Sequence, residues 1–173
     1  MSGEAVIYLG LCVGALAFAA HAPKGERLAA SILAGGLLAN WLFVAWTYTT
    51  LSPQAAIRSW GLPIQATDLW AIADLALGGL AVRVGWRHWW GWAVFSLSMA
   101  HLCMHPMRPL IGDVLYTFWL DKILLAQVAV FILIGGRGIA NRLSFRARLH
   151  RLGGFTAGGR GAHEGAHSKV VSS

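Results

Sequence analysis

The sequence predicts an all-α integral membrane protein, a bundle of five transmembrane helices, and three observations lead to that fold class. Charged residues make up only 12% of the 173 positions and hydrophobic ones 57%, whereas a soluble domain carries about 25% charged residues. Five apolar runs reach the length needed to cross a hydrocarbon core of about 30 Å at 1.5 Å per residue. Lys and Arg fall on one side of those runs with a strong bias. The length is that of one ordinary domain.

The first run, residues 5–22, resembles a secretory signal, because Ala17-Phe18-Ala19 looks like a cleavage site. A signal peptide has a basic leading region, and here Glu4 is the only charge before the run, while Lys24 and Arg27 follow it. The reading is an uncleaved span. Pro23-Lys24-Gly25 separates it from the second run, 28–50. Ser52-Pro53, Gly61 and Pro63 then mark a turn before the third run, 66–84. Gly85 precedes the fourth, 89–105, and Pro106, Pro109 and Gly112 precede the fifth, 114–135. The third and fourth are shorter and less clean. Gly10 and Gly14 form a GxxxG pair, and Gly35-Gly36 and Gly78-Gly79 thin the next two helices, as close helix packing requires.

Orientation follows from the cations. An outside N-terminus puts Lys24, Arg27, Arg83, Arg87 and the seven cations after residue 136 in the cytoplasm, leaving Arg58 and Arg108 outside. The expected topology is N-out, C-in. Trp86, Trp89, Trp90 and Trp92 then sit at the inner interface, and Trp46, Tyr48, Trp60, Trp70, Tyr116 and Trp119 toward the outer one, as aromatic belts. The predicted organisation is a transmembrane domain over 1–136, a basic amphipathic juxtamembrane segment over 137–152 and a disordered tail over 153–173. In the second of these, Arg142, Arg146, Arg148 and Arg151 are candidate contacts for anionic lipid. The net charge of +7 is thereby assigned to the membrane surface and not to nucleic acid. Cys12 and Cys103 lie in apolar runs and read as small hydrophobes, with no disulfide expected.

Charged residues inside the spans are the functional signal, since a charge in hydrocarbon costs several kcal/mol unless it is paired or hydrated. Counted from the outer edge at 1.5 Å per residue, Asp74 and Lys122 lie about 12 Å deep, Asp121 about 10 Å, Asn40 about 15 Å and His101 about 6 Å. With His105 nearer the surface, Asn40, Asp74, His101, His105, Asp121 and Lys122 form a candidate polar cluster in the outer half of the bilayer.

Each of these residues has a plainer role. Asp68 and Asp113 begin helices, where an acid caps the end. Asn40 can serve as an interhelical hydrogen bond. For Asp74 the structural reading is a buried ion pair with Lys122 that fixes helix register. Neighbouring residues point about 100° apart, so Asp121 and Lys122 cannot both face one partner, and Lys122 has the alternative of snorkelling outward. His101 and His105 share a helix face at i, i+4 and are the candidate metal ligands, with Asp74 or Asp121 as a third. No Glu follows His101 to complete a metallohydrolase signature. Haem would need a second histidine at that depth on another span, and none is present, so no cofactor is expected. His163 and His167 in the tail carry little weight as a metal site.

The pattern Ala39-Asn40-Trp41, Asp74-Leu75-Ala76, His101 or His105, Leu120-Asp121-Lys122 and Gln127 resembles uncharacterised small polytopic membrane proteins of bacterial phages and prophages, over residues 35–136. The resemblance implies a bacterial inner membrane and a phage setting, including a holin-like or host-membrane role, and transfers no chemistry. Three functions are expected in order. The first is a non-enzymatic membrane protein whose polar cluster joins the helices and which acts through the bilayer, a membrane partner or its own copies. The second is a small transporter or channel component using Asp74, Asp121, Lys122 and His101 in an outward-facing cavity. The third is a metal-dependent membrane enzyme at His101 and His105.

Overall fold

The structure, a computed structural model, describes residues 3–50, 57–59, 62–64 and 66–159. They form five helices: α1 (Gly3–Ala19), α2 (Arg27–Thr50), α3 (Ala66–Gly85), α4 (Trp89–Ile111) and α5 (Asp113–Gly159). Between α2 and α3 lies a short antiparallel hairpin, β1 (Ile57–Ser59) and β2 (Leu62–Ile64), with Ile57 opposite Ile64. That hairpin is the departure from an all-helical chain among the described residues.

Each helix packs on its neighbours in sequence, and α5 returns to α1, so the bundle is a closed ring. Small side chains make this possible on one side, where Cys12, Ala15 and Ala19 of α1 meet Ala30, Leu33, Ala34 and Leu37 of α2 in the core. Trp90, Val94, Leu124, Phe131 and Ile134 fill the other side.

The elements differ from expectation in two places, each for a packing reason. α4 runs through Pro106 and Pro109 to Ile111 instead of stopping at residue 105. It ends at Gly112, whose φ of 77° only glycine adopts freely, and the Gly112 N–H closes on the Arg108 carbonyl. α5 does not break at Gly135–Gly138 but continues to Gly159, through the expected juxtamembrane segment 137–152 and into the expected tail, of which residues 160–173 lie outside the described residues. The glycines mark a helix crossing: a Cβ on Gly135 would strike the Phe18 carbonyl, and one on Gly138 the His21 carbonyl. By contrast, a Cβ on Gly10 or Gly14 would meet nothing, so the GxxxG pair is not a packing face within the described chain.

Among the described residues, two helices are long and apolar enough to cross a membrane, α2 over Arg27–Thr47 and α5 over Asp113–Arg148. α1 is apolar but has 17 residues. α3 carries Asp68, Asp74 and Arg83, and α4 carries two histidines, Arg108 and two prolines, which lower their apolar character. Large apolar side chains nevertheless face outward on every helix, among them Ile7, Ile32, Ile72, Trp89 and Leu133, while Asp74, Ser98, His105 and Gln127 are buried.

Candidate functional site

Tight antiparallel turns decide which polar residues meet. The α4–α5 turn at Gly112 faces the end of α4 with the start of α5, bringing Arg108 Nε to 2.7 Å from Asp113 Oδ1. One helical turn deeper, the same pairing sets His105 Nδ1 at 2.7 Å from the Tyr116 hydroxyl. The Arg108 guanidinium lies over the Tyr116 ring, 5.5 Å from its centre.

On the other side of His105 stands Asp74, whose 2% exposure makes it the most deeply buried acid described. His105 Nε2 is 2.9 Å from Asp74 Oδ2, and His101 Nδ1 is 3.1 Å from Asp74 Oδ1. Asn40 Nδ2 donates to the same Oδ1 at 2.8 Å. The carboxylate is thus held from α2 and α4 by three nitrogens. An ionised carboxylate only accepts, so each of these nitrogens carries the hydrogen. For a neutral His105 the proton then sits on Nε2, and Nδ1 accepts from Tyr116. The result is a hydrogen-bonded line from Tyr116 through His105 and Asp74 to His101.

The line ends at a cavity of about 140 Å³ among α1, α2, α4 and α5. Tyr8, Asn40, Trp41, His101, Asp121, Leu124 and Gln127 contribute to its wall. Gln127 is fully buried and donates to Ser98 Oγ at 3.2 Å. Among the described residues, three buried acceptors are left without a hydrogen-bond partner: Asn40 Oδ1, His101 Nε2 and Gln127 Oε1. All three belong to residues of this wall.

Of the six residues in the sequence-derived cluster, Asn40, Asp74, His101 and His105 come together, and Asp121 reaches the cavity. Lys122 does not join them. It is exposed, its Nζ 5.0 Å above the Phe118 ring, so the expected Asp74–Lys122 ion pair is replaced by the Asp74–histidine contacts. The cause is the 100° step between adjacent helical residues, which turns Asp121 inward and Lys122 out.

His101 and His105 direct nitrogens onto Asp74, and among the described residues no three His, Cys, Asp or Glu side chains are grouped to hold a metal ion. Cys12 and Cys103 are both free. Arg142, Arg146 and Arg148 are exposed on the far part of α5, while the Arg151 side chain and residues 160–173, with His163 and His167, lie outside the described part.

Several aromatic residues of the expected belts are interior instead. Tyr116 belongs to the site, and Trp70, 6% exposed, donates to Thr47 Oγ1 at 2.7 Å. Trp90, fully buried and stacked on His88, donates to Glu26 Oε2 at 2.8 Å. Tyr116, Ser98 and Gln127 are therefore site residues outside the sequence-derived cluster. A spacing signal existed for α5, where Tyr116, Ile123, Gln127, Phe131 and Ile134 follow at steps of seven, four, four and three residues as one buried face. No protein-family model, curated protein or solved structure matches the chain.

Proposed function

We propose that the chain is a polytopic membrane protein of the bacterial inner membrane, N-terminus outside and basic end of α5 in the cytoplasm. In this reading it handles protons at Asp74 as a small transporter or channel component. The observation that carries the proposal is the company Asp74 keeps: a buried carboxylate held by two histidines and an amide, with no Lys or Arg against it among the described residues. A fixed cation would neutralise such a group permanently. Histidines do so only when protonated, which makes the charge of the site depend on proton supply.

Further support comes from the distribution of polarity. Apolar side chains cover the outside and the polar network is inside, the arrangement that lipid favours. Arg108, Asp113 and Tyr116 stand at the end of the network that the cation bias places outside, so protons would enter there. The function in which the cluster only joins helices leaned on an Asp74–Lys122 pair, and Lys122 faces away.

Reconstitution into liposomes with an internal pH dye tests the proposal. Wild-type protein is expected to pass protons down a gradient, and Asp74→Asn to abolish this while retaining its helical circular dichroism. Equal proton movement by folded Asp74→Asn protein would overturn it.

A further inference from the structure

The line from Tyr116 to His101 is shut at both ends. Tyr116, where protons would enter, is only 4% exposed, and its hydroxyl is turned to His105. His105 and Asp74 are buried behind it. At the far end His101 Nε2 is closed to water, beside a cavity whose wall is mostly apolar. A proton enters such a line only when one end opens, and the Tyr116 end is the one whose surroundings are free to move.

Beside Tyr116 lies the last turn of α4, residues 106–111. It carries Pro106 and Pro109, which cannot donate the helical bonds to the Leu102 and His105 carbonyls. It ends at Gly112 with its positive φ. Leu110 and Val114, on either side of that glycine, are the two most exposed large apolar side chains among the described residues, so the turn has little packing of its own. Across the turn Arg108 Nε donates to Asp113 Oδ1 at 2.7 Å, and the guanidinium covers the Tyr116 ring. The Asp113 side chain is 75% exposed, and ion pairs so exposed are weak enough to break and re-form readily. The start of α4 has no such freedom. Trp90 is bonded there to Glu26, and a Cβ on Gly91 would strike the Gly85 carbonyl, so α4 is clamped to α2 and α3.

We propose that residues 106–111 form a cap over the proton-handling line and that the Arg108–Asp113 contact is its latch. With the latch closed, Arg108 lies over Tyr116 and keeps water from its hydroxyl. With the latch open, the turn swings at the two prolines, carries Arg108 away, and leaves Tyr116 and His105 facing the outer water. Arg108 is thus a positioning residue that controls access and passes no proton itself. The proposal rests on the proton-handling reading and names how its site is opened.

Carbethoxylation of histidines by diethylpyrocarbonate at one fixed pH, located by mass spectrometry on the full chain in lipid nanodiscs, tests the latch without relying on proton movement. Exposed His21 is the reference. Relative to it, labelling of His105 is expected to rise about fivefold in Asp113→Asn and in Arg108→Gln, the scale of a lost surface ion pair. Joint replacement of the prolines, Pro106→Ala with Pro109→Ala, restores the two helical bonds and is expected to lower the labelling. Substitutions that merely loosened the protein would raise it in all three. Two latch variants guard against one of them failing to fold. Labelling of His105 that is indifferent to both latch variants, or that rises when the prolines are replaced, would overturn the proposal. In liposomes the latch variants are expected to pass protons faster than wild-type protein. Latch-dependent labelling without proton movement would keep the latch and remove the proton reading. Asp74-dependent proton movement with latch-independent labelling would do the reverse.

Discussion

His105 on α4 and Asp74 on α3 meet at 2.9 Å, and the contact fixes the imidazole in one orientation: Nε2 toward the carboxylate, Nδ1 toward the hydroxyl of Tyr116 on α5. One ring thereby joins three helices.

The Tyr116 hydroxyl should matter to stability. Tyr116→Phe keeps the ring but leaves His105 Nδ1, buried between helices, without its donor. A loss of about 1–3 kcal/mol is expected for a buried polar group left unpaired, read from unfolding in mild detergent. A loss below about 0.5 kcal/mol would show that the hydroxyl bond contributes little.

Lys122 and Asp74 should act independently. Lys122 lies on the outer face of α5 over Phe118 and does not touch Asp74. In a double-mutant cycle with Lys122→Gln and Asp74→Asn the effects on stability should add within about 0.5 kcal/mol. Coupling well above that would restore the ion pair that the sequence suggested.

The glycines of α5 should be far less tolerant than those of α1. Gly138→Ala places a methyl group against the His21 carbonyl in the turn that follows α1, so that turn and α5 must separate, at a cost of about 1–3 kcal/mol. Gly10→Ala meets open space and should be neutral or slightly stabilising, since alanine favours the helix by up to about 1 kcal/mol. Thermal melts of the two variants in the same detergent give the comparison, and equal melting temperatures would contradict the α1–α5 crossing.

These relationships were legible in the sequence to different degrees. Depth counting put Asn40, Asp74 and His101 on three helices at compatible levels, and they meet. Depth alone carries no azimuth, however, and Lys122 was grouped with them although its neighbour Asp121 is the one turned inward. Tyr116 and Trp70 looked like interfacial anchors because an aromatic ring near a span end reads the same whether it faces lipid or a neighbouring helix. The fifth run's expected boundary at residue 135 has a similar cause, since glycine marks both chain breaks and close crossings. Helix existence follows from local apolar runs, whereas facing and continuity are set by partners distant in sequence.

The central claim is that Asp74 is held by N–H groups of His101 and His105, with no Lys or Arg against it among the described residues. Nitrogen-15 NMR of histidine-labelled protein in bilayers tests it directly, with His101→Gln and His105→Gln variants to assign the two rings. The account predicts a His105 ring with its hydrogen on Nε2 and a His101 ring with its hydrogen on Nδ1, each facing Asp74, and a change in both sets of signals in Asp74→Asn protein. A His105 ring with its hydrogen on Nδ1, or imidazole signals that are the same in wild-type and Asp74→Asn protein, would contradict it.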